Sequence, residues 1–200
     1  MATSPTDIAN IALGHLGSPL ILDIDDSSNK AARSLKAAFV DAAKKVGYMH
    51  DWNCLRSRQE LVQTGNTPPG GYEFEYLLPA QCLRVITIND DDQRSDNDNW
   101  DVEGRLLLTD ADSVILKFTK YIPQVTKWSP GYVEAVALEL AGRTAVAITQ
   151  SKGKSVEMKQ QFQLELAAFK KMDSAERKRK VIDSTKNSSY IRSRRISTAG

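Results

Sequence analysis

The sequence contains few of the residues that build metal and disulfide sites. Its 200 residues include only two cysteines and two histidines. Cys54 and Cys82 are far apart and have no cysteine or histidine cluster beside them, so the pattern matches neither a disulfide framework nor a zinc site. We interpret both as small, buried, apolar residues of a protein made in a reducing cytoplasm.

Long hydrophobic runs are also missing. No run approaches the length of a membrane-spanning helix, and the N-terminus lacks the basic and apolar blocks of a secretion signal. We therefore expect no membrane partner. Hydrophobic residues make up 41% of the chain and charged residues 26%, a composition typical of a globular protein with an ample core.

The residue patterns of common enzymes are absent from the sequence as well. The glycines of residues 65–71 lie beside prolines, and no lysine is placed to hold a phosphate. We interpret His15 as a packed or capping residue, and His50, next to Asp51, could join a catalytic triad only through the tertiary fold. We therefore predict no catalytic, cofactor-binding or metal-binding residue.

Acidic residues are concentrated in the segment NDDDQRSDND, residues 89–98. Paired carboxylates can hydrolyse glycosides, but a general acid must be desolvated to hold its proton near neutral pH. This polar segment reads as an exposed loop, which favours a solvated role. Its spacing also differs from that of the twelve-residue calcium loop, and the glycine of that loop is missing.

The formal net charge of +2 hides two halves of opposite sign. Residues 1–150 carry 14 basic and 20 acidic residues, whereas residues 151–200 carry 13 basic and 5 acidic ones. Opposite charges within one chain are typical of surfaces that meet different neighbours, or neighbouring copies of the same chain.

Helical periodicity marks both ends of the chain. The first helix is predicted to begin at Ser4 or Thr6, with Pro5 in its first turn, and to stop at Gly17. The other predicted helices are about Ser28 to Val46, with Gly47 as the end, residues 130–150 after Ser129, and about Ser155 to Met172.

The middle of the chain changes to an alternating pattern that predicts strands. The predicted strands are residues 59–64, 72–77, 83–89, 99–103, 105–109 and 113–121. Within YEFEYLLPAQCLRV, residues 72–85, Pro79 holds Leu78 extended, which predicts a corner between two strands. We expect a small antiparallel sheet or sandwich.

The order of these elements predicts an α+β fold, in which an antiparallel bundle of about four helices carries an inserted antiparallel β-sheet or sandwich. The predicted units are an N-terminal helical pair, residues 1–58, a β insertion, residues 59–124, and a C-terminal helical pair, residues 125–173. The basic tail, residues 174–200, is rich in serine and basic residues, and we expect it to be flexible until it meets a partner.

Two interpretations of the basic tail remain open. It is a solvated terminus, or it is a docking segment, because apolar residues such as Val181, Tyr190 and Ile191 are interleaved with its charges.

Four segments carry a resemblance to a known family. They are DWNCLR (residues 51–56), YEFEYLLPAQCLRV, the hairpin WDVEGRLLLTDADSVILKFTKY (residues 100–121) and WSPGYVEAVALELAGRTAVAIT (residues 128–149). Their order and spacing resemble the tail tubular protein A, or head-to-tail adaptor, family of short-tailed bacteriophages. The resemblance covers about Thr6 to Phe169.

The resemblance implies a structural virion protein of the phage tail or neck, assembled in the bacterial cytoplasm. It implies a dodecameric ring of identical subunits that binds the portal protein and extends the DNA channel, through which DNA passes without specific binding. It also implies a platform for the tail nozzle, tubular protein B, or for a tail fibre or spike. It implies neither an enzymatic activity nor a cofactor.

The candidate site residues follow from charge. We expect the basic tail to dock on the portal through Arg177, Lys178, Arg179, Lys180, Tyr190, Ile191, Arg192, Arg194 and Arg195. We place a subunit seam or the channel lumen at Asp90, Asp91, Asp92, Asp96, Asp98 and Arg84.

Two other functions stay open at this point. The protein could be a DNA-binding accessory protein that uses the basic tail, in which case its affinity would fall steeply with salt. It could also be a cell-wall hydrolase of the phage tail, which would need two facing carboxylates in a cleft.

Overall fold

A computed structural model describes residues 4–68, 70–89 and 100–176. In these ranges the chain forms four α-helices and two antiparallel three-stranded sheets, so the predicted α+β fold is confirmed. The helices are α1 (Pro5–Leu16), α2 (Lys30–Met49), α3 (Pro130–Thr149) and α4 (Lys152–Ala175). The strands are β1 (Arg56–Leu61), β2 (Phe74–Leu77), β3 (Cys82–Ile88), β4 (Trp100–Glu103), β5 (Leu106–Thr109) and β6 (Val114–Lys120).

The start of α1 agrees with its local signals. The Ser4 side chain accepts a hydrogen bond from the Asp7 amide at 3.1 Å, and the Asp7 carboxylate accepts one from the Ser4 amide at 3.0 Å. This reciprocal pair satisfies two amides that the first turn leaves free. Gly17, with φ of 65°, ends the helix as predicted.

The predicted bounds of α2 were wrong at both ends. The helix begins after Asn29, whose side chain accepts a hydrogen bond from the Ala31 amide at 2.8 Å. It continues through Gly47 to Met49. A Cβ at Gly47 would lie 2.8 Å from Leu83 Cδ1 and 3.1 Å from Leu55 Cδ1. This glycine therefore allows the sheet to approach the helix closely, and it does not end the helix.

The bundle is arranged around α3, which packs against α1, α2 and α4. The inward side of α4 carries Met158, Phe162 and Leu166, which are buried. The helix begins at Lys152, three residues before the prediction. Ser151 caps it by accepting a hydrogen bond from the Lys154 amide at 3.2 Å, so the SKGK segment forms the first helical turn and its cap.

The strands form a small sandwich with a core of its own. The sheet orders are β1-β6-β3 and β2-β5-β4, with antiparallel neighbours throughout. The side chains that make up this second core are Leu61, Tyr76, Leu78, Ile88, Leu107, Val114, Leu116 and Phe118. The prediction that was furthest off is β1, whose polar start at Arg56 pairs with Thr119 on β6. Pairing with β6, and not side-chain alternation, decides where this edge strand begins.

Both connections between the bundle and the sandwich bring a tryptophan into the helical core. Trp52 is fully buried and Trp128 is almost so. Their rings lie 5.3 Å and 4.8 Å from that of Tyr132, and Phe39 stacks on Trp128 at 6.0 Å. This aromatic cluster ties the two connections to α2 and α3. None of the four helices described is long and apolar enough to cross a membrane.

Candidate functional site

Of the predicted site residues, only Arg84 lies in the described part of the chain. The tail residues from Arg177 to Arg195 and the aspartates from Asp90 to Asp98 lie outside it. Arg84 is half-buried on β3 and lines an open cleft of about 330 Å³. The remaining lining residues are Tyr48, Leu78, Cys82, Leu83, Val85, Trp100, Val102, Gly104 and Arg105.

The cleft is apolar and positively charged. Among the described residues that line it, the charged ones are Arg84 and Arg105. The described lining therefore contains no pair of carboxylates of the kind that glycoside hydrolysis uses. The guanidinium groups of Arg84 and Arg105 can form ion pairs with a carboxylate of a partner. They can also form cation–π contacts with an aromatic group of a partner. The rings of Tyr48 and Trp100 line the same cleft.

The orientation of Arg105 is fixed by the corner between β2 and β3. Its guanidinium donates a hydrogen bond to the Leu78 carbonyl at 2.8 Å, and its own carbonyl accepts one from the Leu78 amide at 2.9 Å. The Cys82 amide then closes a turn on the Pro79 carbonyl at 2.9 Å. The predicted corner is confirmed, and it carries the chain from one sheet of the sandwich to the other.

The two cysteines are partly buried. Burial raises the pKa of the Cys54 thiol, although a hydrogen bond from Ser129 opposes this shift. Burial also raises the pKa of Cys82, and the nearby charge of Arg105 lowers it by a smaller amount. Both thiols therefore stay protonated at neutral pH, as expected for residues that fill space.

A polar cluster holds the end of α4, and we call it the tail anchor: His50, Asn53 and Asp173. Asp173 is buried, and its carboxylate accepts hydrogen bonds from the Asn53 amide at 3.1 Å and 3.3 Å. The His50 ring Nε2 lies 3.1 Å from the same carboxylate. The Asn53 side chain also donates to the Asp173 carbonyl at 2.6 Å. The last turn of α4 is therefore tied to the segment that leads into β1.

We predict that Asp173→Ala lowers the free energy of unfolding by about 2 to 3 kcal/mol, because the partly buried amide of Asn53 and the His50 ring lose the carboxylate that they contact. Glu176→Ala is the matched control: Glu176 is exposed and makes only a long contact of 3.4 Å with Asn53. The control is expected to change stability by less than about 0.5 kcal/mol. Urea titration followed by circular dichroism measures both. Equal losses in the two variants would contradict the role assigned to the anchor.

The histidine contacts differ from the neighbours suggested by the sequence. His50 contacts Asp173, whereas the adjacent Asp51 is bound by the Arg56 guanidinium at 3.1 Å and 2.7 Å. His15 was interpreted as a packed or capping residue. It lies 2.8 Å from Glu134 and connects α1 to α3. Asp173 and Glu134 are more than a hundred positions away along the chain from the histidines that they contact, so sequence spacing could not reveal these two contacts.

Sequence reasoning missed a second buried charge, Glu139 in the middle of α3. Lys45 of α2 donates to its carboxylate at 2.7 Å and 2.8 Å, and Arg143 donates at 2.6 Å. The spacing of Glu139 and Arg143, four positions on one helix, was the available signal. The cluster compensates the buried carboxylate and connects α2 to α3. Among the described residues, no group of three or more metal-binding side chains is close enough to hold an ion.

Two comparisons with known proteins find no match for this chain. No protein-family model matches it, and no curated protein matches it.

Proposed function

We propose that this chain is a structural virion protein, the head-to-tail adaptor of a short-tailed phage. In this proposal it forms a ring below the portal, extends the DNA channel and carries the tail nozzle or fibres. The basic tail docks on the portal. The proposal starts from the resemblance of the four sequence segments, and it is supported by the positions in the described fold after which the acidic and basic segments follow.

The observation that carries the proposal is where these two segments join the fold. The acidic segment follows Asn89, whose amide donates to the Ile115 carbonyl at 2.9 Å beside the start of β6. The basic tail follows the tail anchor, and Asn53 of that anchor lies just before β1, whose first residue pairs with Thr119 near the end of β6. The attachment points are therefore at opposite ends of one sheet.

Opposite ends with opposite charges suit a protein that sits between two different assemblies. A basic end binds an acidic surface of the portal, and an acidic end repels the DNA that slides past it. The tail anchor also favours docking. It fixes the end of α4, which reduces the conformational entropy that is lost when the tail binds. The proposal also places six residues at a seam between subunits or at the lumen of the DNA channel. They are Arg84, Asp90, Asp91, Asp92, Asp96 and Asp98.

Negative-stain imaging of the chain with a purified portal tests the proposal directly. We expect an added ring of density on one face of the portal, which the portal alone does not show. Portals that stay bare at saturating concentrations of the chain would contradict the proposal. A gel shift with duplex DNA at two salt concentrations separates the accessory-protein alternative, which requires binding that falls steeply with salt.

A further inference from the structure

The connection between α1 and α2 holds two leucines out in solvent. Ile21 is buried, and its backbone exchanges two hydrogen bonds with the Asn10 side chain at 2.9 Å and 3.0 Å. Ile24 is buried as well, and its amide donates to the Thr6 hydroxyl at 3.2 Å. Leu22 lies between these two fixed points and is fully exposed. The segment is thus built to present apolar side chains, and it does so at little cost in conformational entropy.

We call the exposed surface of this segment the knob: Leu20, Leu22, Asp23, Asp25 and Asp26. The exposed fractions of Leu20 and Leu22 are 68% and 103%. All three aspartates are exposed, and hydrogen bonds from Ser28 lower the pKa of Asp26. The knob is therefore apolar at its tip, with three carboxylates beside it, of which that of Asp25 is paired with Lys36 at 2.8 Å and that of Asp26 lies near the Arg33 cation.

A second exposed apolar surface lies on the outer side of α4. Leu164 and Met172 are 78% and 65% exposed, on the side opposite the buried Phe162 and Leu166. Between the two large side chains lie Ala167 and Ala168, three and four positions after Leu164, whose small side chains leave a hollow about one turn long. We call this surface the stripe: Leu164, Ala167, Ala168, Lys171, Met172 and Ala175, all exposed.

The charge of the stripe is opposite to that of the knob. Lys171 lies within the stripe, and Lys170 lies at its edge. A knob facing a second knob would bring six carboxylates together with the Lys36 and Arg33 cations of both copies, and two stripes would bring lysines together, so neither symmetric pairing gains the charge attraction of a mixed pair. The pairing of a knob with a stripe is attractive, and it joins two different faces of the same chain.

We propose that the knob of one copy docks in the stripe of the next copy. Leu22 fills the alanine hollow between Leu164 and Met172, and the aspartates face Lys170 and Lys171. Because the two surfaces differ, such contacts are heterologous and propagate from copy to copy, as a ring requires. The inference rests on the proposed function, to which it adds the subunit contact. A single contact between so few side chains is weak. The portal promotes assembly because it holds several subunits close together and so raises their local concentration.

Sedimentation velocity of the full-length chain over a wide concentration range tests this contact. We expect the wild type to form dimers and larger species as the concentration rises. Leu22→Lys places a cation against the lysines of the stripe, and Leu164→Glu places an anion against the acidic knob, so each variant alone should stay monomeric. Both positions are exposed, so the fold should tolerate either change.

Mixing the two variants gives the most specific result. Leu22→Lys keeps an intact stripe and Leu164→Glu keeps an intact knob, so the mixture should form dimers although neither variant does so alone. The controls Val62→Lys and Val156→Glu change exposed apolar residues elsewhere, at 84% and 54% exposure, and should associate like the wild type.

Three results would overturn the contact: a wild type that stays monomeric throughout, variants that associate like the wild type, or a mixture without dimers. These results are independent of the portal experiment. Rings on the portal formed equally well by both variants would retain the proposed function and reject this contact. Association through knob and stripe without rings on the portal would retain this contact and reject the proposed function.

Discussion

A chain that ends at Glu176 is expected to lose portal binding by at least about a hundredfold, or roughly 2.7 kcal/mol, while its fold is retained. In the proposed function the basic tail supplies most of the affinity, whereas no described contact of the bundle core depends on residues after Glu176. Sequence reasoning had placed the start of the tail at residue 174. The structure moves the cut to after Glu176, because α4 continues to Ala175 and Asp173 belongs to the tail anchor.

Portal rings pelleted with labelled subunit provide the measurement, and thermal unfolding followed by circular dichroism verifies the fold. A full-length variant distinguishes charge from length. It replaces seven of the eight basic residues of the tail with glutamine and keeps Tyr190 and Ile191. The replaced positions are Arg177, Lys178, Arg179, Lys180, Arg192, Arg194 and Arg195. This variant should bind weakly and with little dependence on salt. Undiminished binding by the shortened chain would remove the tail from the proposal.

The second large effect is on stability. Trp52→Ala is expected to lower the free energy of unfolding by about 3 to 5 kcal/mol. The side chain is fully buried, its ring lies 5.3 Å from that of Tyr132, and its indole N–H donates to the Val46 carbonyl at 2.8 Å. The substitution leaves a cavity where the connection from α2 to β1 enters the bundle, and it also removes the donor to a buried carbonyl.

Urea unfolding measures this loss, with Trp52→Phe as the matched control. Phenylalanine keeps most of the ring volume and loses the indole donor, so we expect a loss of about 1 to 2 kcal/mol. The comparison separates the packing of the ring from its hydrogen bond. A loss below about 1 kcal/mol for Trp52→Ala would mean that the aromatic cluster does not hold the two connections in place.

Local signals were sufficient where the controlling contacts lie within one helical turn. Ser4, Pro5 and Gly17 predicted both ends of α1, because a cap bonds to residues only three or four positions away. The same reasoning was wrong at Gly47. A glycine near the end of a helical pattern is typical of a stop, but here its role depends on Leu83, which approaches from another element.

For the candidate site, too, the sequence supplied one residue and the tertiary structure supplied the others. Arg84 was selected from its place in a strand, and the structure adds Arg105, Tyr48 and Trp100 from three other segments to complete the cleft. The knob could be recognised only in part. The sequence does not distinguish Leu20 and Leu22 from Ile21 and Ile24, and only the hydrogen bonds of Asn10 and Thr6 show which of these side chains turn inward.

The amino-acid sequence by itself determined the α+β class, the order of helices and strands, the corner at Pro79 and the opposite charges of the two halves of the chain. Periodicity and turn chemistry depend on residues only a few positions apart, and composition does not depend on residue order at all. The tertiary structure alone decided how six strands divide into two sheets, and which distant residues form the tail anchor and the Glu139 cluster. It also placed Asn89 and the tail anchor, which precede the acidic and basic segments, at opposite ends of one sheet, because strand pairing joins residues about sixty positions apart and no local pattern encodes such a choice.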